Sequence, residues 1–329
     1  MPIRSNNNLQ SYYDRFGGSG AGGPEYVGGI GNNYGARAIV AGGYDPSDLD
    51  TMDYRNISTT GNFTDFGDLQ VARRAIGCCS NSTRMCTGGG YNPSGHEGSS
   101  YQDLIGYITT STTGNAQDFG NLTLKRYALS ALSNGTRGVW CDGQGGDGYS
   151  NIMDYVTIAT TGNAADLGDT TFAGRAIFCA ANNGRGLIGG GWDGGGTDRI
   201  EYMNPATLGN ARDFGNMLST LYGYNAASTG VNMTRAVYTG GRAPSQTNVM
   251  GYMTIDTTGN ATDFGDMHSA RDGHGCCTND TRMLSTGGTT TSSYVVDVEY
   301  ITVANTGNGT DFGDLTVGRW YTAASSGSA

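Results

Sequence analysis

Thr257-Thr258-Gly259-Asn260-Ala261-Thr262-Asp263-Phe264-Gly265-Asp266 is the stretch that decides the fold, because it occurs six times with small variations. The copies cover 61–68, 114–121, 162–169, 209–216, 259–266 and 307–314, each reading Gly-Asn-x-x-Asp-(Phe/Leu)-Gly-(Asp/Asn). The leading glycines are separated by 53, 48, 47, 50 and 48 residues. A period of this length marks a propeller or a related array in which each repeat is one supersecondary unit.

Working outward from the motif, the cleanest unit spans 271–318. A short strand ends in Cys276-Cys277, and a polar turn follows. A second strand, Arg282 to Thr286, is closed by Gly287-Gly288. A third strand from Val295 to Val303 is rich in β-branched residues and carries Tyr300. The motif is expected to turn the chain into a fourth strand at Leu315-Thr316-Val317. Four short strands at this spacing make one antiparallel blade. The landmarks recur in register. The second strand opens at Arg37, Arg84, Arg137, Arg185, Arg235 and Arg282, and a glycine pair closes it everywhere except at Asp142-Gly143. The third strand holds Tyr54, Tyr107, Tyr155, Tyr202, Tyr252 and Tyr300. The first strand is read as opening with Arg73, Arg126, Arg175, Arg271 and Arg319, with Leu221 in the remaining copy.

The first repeat lacks a first strand, whereas the C-terminus supplies an orphan one from Arg319 to Ser325. Together they complete a blade, and closing the ring removes the sheet edges an open array exposes. The expectation is an all-β, six-bladed propeller over 31–329, preceded by an extended arm over 1–30. The arm carries an aromatic patch, Tyr12, Tyr13 and Phe16, followed by a glycine-rich hinge suited to anchoring the domain to a larger assembly.

Composition narrows the function classes. Glycine is 57 of 329 residues and proline 6, as expected of many tight turns, and 20 Tyr with 9 Phe exclude a glycine-rich linker. A net charge of −10 argues against nucleic acid as a partner. Eighteen Arg accompany a single Lys, Lys125, which points to planar pairing rather than dispersed charge. Seven Cys, with adjacent pairs at 78–79 and 276–277, make a poor disulfide framework and read as free thiols of a chain folded in a reducing cytoplasm. No apolar run is long enough for a membrane span.

The repeat resembles the kelch repeat in its glycine pair, its third-strand Glu299-Tyr300 and the aromatic slot filled by Phe66, Phe119, Leu167, Phe214, Phe264 and Phe312. The phrase Thr-Thr-Gly-Asn-Ala-x-Asp-Phe-Gly-Asp, with Ser-Asn-Gly-Thr-Arg, is similar to kelch-like repeats of tailed-bacteriophage structural proteins. That resemblance implies a virion component folded in the host cytoplasm. It would be a tail- or fibre-type adhesin, or else a capsid or tail decoration protein, with other virion proteins as partners through the arm. A cytoplasmic kelch scaffold and a glycan-active enzyme are the rival classes.

Antiparallel topology places the repeated segments at one end of the blades and the variable ones at the other. At the repeated end, Arg37, Arg84, Arg137, Arg185, Arg235 and Arg282 are expected to pair with Asp65, Asp118, Asp166, Asp213, Asp263 and Asp311. At the variable end, Tyr44, Tyr91, His96, Tyr101, Tyr149, Trp192 and Tyr294 are expected to form the binding surface for a host glycan or protein. Repetition rules out a kinase-like reading of Asp-Phe-Gly. With three His and four Glu, no catalytic constellation, metal site or cofactor is expected.

Overall fold

Short strands punctuated by glycine pairs form six antiparallel blade sheets arranged as a β-propeller, with a separate two-stranded hairpin at Tyr91–His96 and Ser99–Tyr101 among the described residues, seen here in a computed structural model. The structure describes residues 35–329 except Glu97, 224–225, 230–233, Ala243 and Asp280, with 226–229 described by backbone alone. The arm over 1–30, with Tyr12, Tyr13 and Phe16, lies outside the described residues. Among the described residues no helix is long and apolar enough to cross a membrane.

The first blade is built from both ends of the propeller: Ala323–Gly327, Arg37–Tyr44, Asp48–Asn56 and Thr64–Asp68, from the axis outward. The closing strand runs antiparallel to Arg37–Tyr44 with Ala41 opposite Ala323 and Arg37 opposite Gly327. The innermost strands of the other blades are Gly77–Ser80, Ser130–Ser133, Phe178–Ala181, Ala226–Thr229 and Gly275–Thr278. Those whose side chains are described carry mostly small residues, which lets six strands crowd around one axis. Six clusters of buried side chains, each drawing on two neighbouring blades, form the core.

The repeated motif is not a corner leading into the fourth strand: it is the fourth strand. In the sixth blade that strand is Thr310–Asp314, and Leu315 follows it as a buried anchor. The motif's Phe, or Leu167 in the third blade, is the buried side chain of the motif's part of this outermost strand, which runs on to Gly174 in the third blade and Leu221 in the fourth. Leu315, Thr316 and Val317 lie beyond it, in the link to the next blade.

The Gly-Asn that opens each motif docks on the preceding blade. Gly114 N–H donates to Phe66 O at 2.8 Å, Ala116 N–H donates to Asp68 O at 2.8 Å, and Asn115 Oδ1 accepts from Asp68 N–H at 3.1 Å. The same side-chain bond is made by Asn163, Asn210, Asn260 and Asn308. Asn62 completes the circle by accepting from Asp314 N–H at 3.2 Å. The second motif glycine makes this approach possible. At Gly67, with φ of 136°, an added Cβ would stand 2.6 Å from the Gly114 carbonyl. The motif is therefore a belt that fastens each blade to the next.

The expected Arg–Asp corners do not form. Each arginine lies over the tyrosine of its own blade's third strand, from Arg137 over Tyr155 at 4.2 Å to Arg37 over Tyr54 at 4.7 Å. In all but the third blade that tyrosine meets the motif Phe, mostly edge-on. The guanidinium then reaches a carbonyl of the next blade: Arg37 to Thr110, Arg84 to Ile158, Arg137 to Pro205, Arg185 to Ile255, Arg235 to Val303 and Arg282 to Ile57. The six aspartates stay exposed. Asp65, Asp166 and Asp311 accept the N–H two residues on. A tyrosine face and an orphan carbonyl satisfy the arginine without desolvating a carboxylate, and that is why the pair is not made.

Candidate functional site

The link between blades passes close to the axis, and its side chains line the mouth of the ring. Aligned through the bridges they make to the second-to-third-strand loops, the mouth positions are Arg74, Tyr127, Arg175, Tyr222, Asp272 and Trp320. The sequence alignment set Arg175 with the buried arginines Arg73, Arg126, Arg271 and Arg319. Arg175 instead sits one residue further on, bridged to Trp192 as Arg74 is to Tyr91. Gly174 takes the buried position, because Phe172 fills that space and would stand 2.0 Å from a Cβ there.

The residue after each mouth position takes a left-handed backbone: Ala75, Ala128, Ala176, Gly223, Gly273 and Tyr321 have φ between 54° and 107°. For a non-glycine residue this costs about 1–2 kcal/mol. It is offset by a necklace of backbone bonds around the axis. Ala75 N–H donates to Tyr321 O, Ala128 to Ala75 and Ala176 to Ala128, each within 2.9 Å. Gly273 N–H donates to Gly223 O at 2.8 Å, and Thr322 N–H to Gly273 O at 3.3 Å. Gly273 has a second reason to lack a side chain, since the Trp320 indole lies 2.1 Å from where its Cβ would be.

Above the necklace opens a bowl of about 570 Å³. Its wall combines mouth residues with Tyr91, Tyr101, Trp192 and Arg242 from the variable loops, and Tyr321 at its base. The rings pack on one another: Trp192 on Tyr222 at 4.5 Å, and Tyr101 stacked on Tyr127 at 5.6 Å. Below the necklace, the inner strands enclose a narrower space of about 90 Å³ lined mostly by small side chains, with Ile76, Leu129, Leu132, Ile177 and His274.

Three guanidinium groups reach the bowl. Arg74 pairs with Asp48 at 2.7 Å and lies over Tyr44 and Tyr91. Arg242 meets Asp272 at 3.1 Å. Burial raises the Asp272 carboxyl above the ordinary range, against a bond from Gln246 and the charge of Arg242. Arg175 bonds neutral partners, the Tyr127 hydroxyl and Gln144 Oε1, the latter at 2.7 Å. Burial also raises the Tyr127 and Tyr321 hydroxyls.

Of the seven residues expected on the binding surface, Tyr91, Tyr101 and Trp192 line the bowl. Tyr44 and Tyr294 brace its wall, touching one another edge-on at 5.8 Å, with Tyr294 stacked on Trp320. Tyr149 stands beside Arg175 at 5.9 Å. His96 does not join them: it ends the hairpin strand Tyr91–His96, pairs with Ser99, and does not line the bowl. Sequence reasoning missed Tyr127, Tyr222, Trp320, Tyr321, Arg74, Arg175, Arg242 and Asp272. The available signal was the residue after each buried arginine, where a regular repeat turns abruptly variable.

The cysteines and His274 are withdrawn from solvent, whereas His268 is exposed. All seven cysteines are free and buried, and burial pushes up the thiols of Cys78, Cys79, Cys86, Cys276 and Cys277, to about 12 for Cys86 and about 11 for Cys276. His274 is buried with Nε2 2.7 Å from Thr239 Oγ1, and burial lowers it to about 3, so its ring is neutral at pH 7. Among the described residues no three His, Cys, Asp or Glu side chains gather as a metal site. No protein-family model matches the chain, and no curated protein matches it in sequence.

Proposed function

We propose that the protein is a non-enzymatic binding propeller that holds its ligand in the aromatic bowl. The observation that carries this reading is the convergence of tyrosine, tryptophan and arginine side chains from around the ring into one cavity, at the end opposite the belt. A bowl of about 570 Å³ is within the size range of small-molecule sites, and rigid strands support its wall. Asp272 is the one carboxylate among the described lining residues, and no histidine or cysteine joins it. The paired carboxyl groups of glycoside hydrolysis are not assembled there.

The resemblance of the repeat phrase to phage structural proteins supports a particular setting. The protein serves as a tail- or fibre-type adhesin of a bacteriophage virion, with the bowl turned to the host surface and the arm over 1–30 fixing it to other virion proteins. Host cells should bind the purified protein saturably. Tyr91→Ala and Trp192→Ala should each weaken binding at least 10-fold, while Asn115→Ala in the belt should leave it unchanged. Bowl variants that bind like the parent protein would remove the bowl from the account. No saturable binding to cells, with the protein still on particles, would assign it to decoration. Deleting residues 1–30 should abolish incorporation into virions.

A further inference from the structure

We infer that the ligand of the bowl is a carboxylate-bearing sugar, an inference that rests on the bowl being the binding site. Charge comes first. The chain carries −10, yet the bowl gathers Arg74, Arg175 and Arg242 against Asp272. Arg74 is matched by Asp48 and Arg242 by Asp272, which leaves the Arg175 guanidinium with neutral partners. Its planar fork suits a carboxylate, which it can grip through two parallel bonds. One unmatched positive charge calls for one negative charge, so a monoanionic carboxylate fits better than a phosphate dianion.

Shape and surface come next. Trp192 with Tyr222, and Tyr101 with Tyr127, form two aromatic patches on the wall shared with Arg175. A pyranose ring has an apolar face of C–H bonds that packs on aromatic rings and a polar edge that needs hydrogen-bond partners. Tyr and Trp side chains offer both in one group. Arg175 lies within 5.7 Å of the Tyr127 ring, so a carboxylate held there sets the attached sugar ring against the Tyr101–Tyr127 stack. An acidic peptide would also answer the charge, but it would leave most of this aromatic surface uncovered.

Isothermal titration with sialyllactose and with tri-galacturonate, against lactose and the carboxyl-reduced trisaccharide, tests the inference on the parent protein. The carboxylated sugars should bind at least 10-fold more tightly than their neutral counterparts, and the difference should shrink with added salt. Arg175→Gln should remove the preference and Arg175→Lys should restore part of it. Equal binding of charged and neutral sugars would overturn the acidic assignment and leave the bowl as a sugar site. A glutamate-rich peptide bound in preference to every sugar would overturn the saccharide assignment. Failure of all carboxylated sugars to bind would overturn the inference outright, while binding to whole cells that still depends on Trp192 would preserve the bowl.

Discussion

Replacing Asp53 by glycine should destabilise the propeller by about 4 kcal/mol, and two further changes should recover most of the loss. Asp53 and Arg319 are fully buried and meet at 2.8 Å in the blade that closes the ring. Arg319 also donates to Thr51 O at 2.9 Å, and Asp53 accepts from the backbone and hydroxyl of Thr316. Removing the carboxylate strands a buried guanidinium, which costs about 3–5 kcal/mol. It also frees the Thr316 N–H, worth about 1 kcal/mol.

The second blade shows how the same arginine survives without an acid. There Gly106 replaces the aspartate, Gln70 lies against it in the place of Thr316, and Thr87 is the cross-strand neighbour where the first blade has Val40. Arg73 donates to the carbonyls of Gly89 and Leu104 and to the Thr87 hydroxyl, with burial lowering it to about 10. Val40→Thr and Thr316→Gln, added to Asp53→Gly, transplant that solution. Urea unfolding at pH 7 would read the three proteins at a common slope. A cost below about 1 kcal/mol for Asp53→Gly, or a triple variant no more stable than the single one, would refute the reasoning.

Other consequences follow from the same geometry. Asp142 is fully buried between Thr170 and Arg199, and burial pushes its carboxyl up to about 7. The folded protein thus holds a proton that the unfolded chain, near the ordinary 3.8, has released, so this group makes stability fall as pH rises from about 4 to 7 and level off above. Asp142→Asn, whose φ of 55° asparagine tolerates, should remove that part of the slope in melts across the range. Gly120→Ala would set a Cβ 2.5 Å from the Gly162 carbonyl at φ of 145° and should cost about 2 kcal/mol or more, measured by chemical denaturation; a change under about 0.5 kcal/mol would argue against the belt. The buried thiols should resist a disulfide reagent in the native protein at pH 8 and all seven should react after unfolding; rapid native labelling would contradict their burial.

Blade count, ring closure and the second strands were legible in the sequence because they follow from a period, and a period survives local substitution. The motif's role was not. Its partners lie one blade away, about 50 residues along the chain, and nothing in a single copy shows that Asn115 caps Asp68 or that Asn62 caps Asp314. The Arg–Asp corners failed because opposite charges recurring in register suggest pairing, whereas the tyrosine beneath each arginine already accommodates it. The bowl was half legible. Variable loops supplied Tyr91, Tyr101 and Trp192, but the link residues were hidden by the misaligned Arg175. That misalignment has a physical origin: the fourth blade gives up its buried arginine and draws Arg199 over Phe172 at 4.0 Å, paired with Glu201 and Asp142. The fifth blade gives up both partners, with Leu221 and Gly251, and fills the space with Tyr238.

The chain carries its own reporter for the central claim that ligand enters the bowl. Of its three tryptophans, Trp192 and Trp320 line the bowl, while Trp140 is fully buried with its indole N–H bonded to Gly77 O at 3.0 Å. Titrating the protein with tri-galacturonate while following tryptophan emission should give a saturable change that is lost in the folded Trp192→Phe/Trp320→Phe variant, which keeps only Trp140. Emission that stays constant through a titration that calorimetry shows to saturate, or a change that persists in the double variant, would contradict the account.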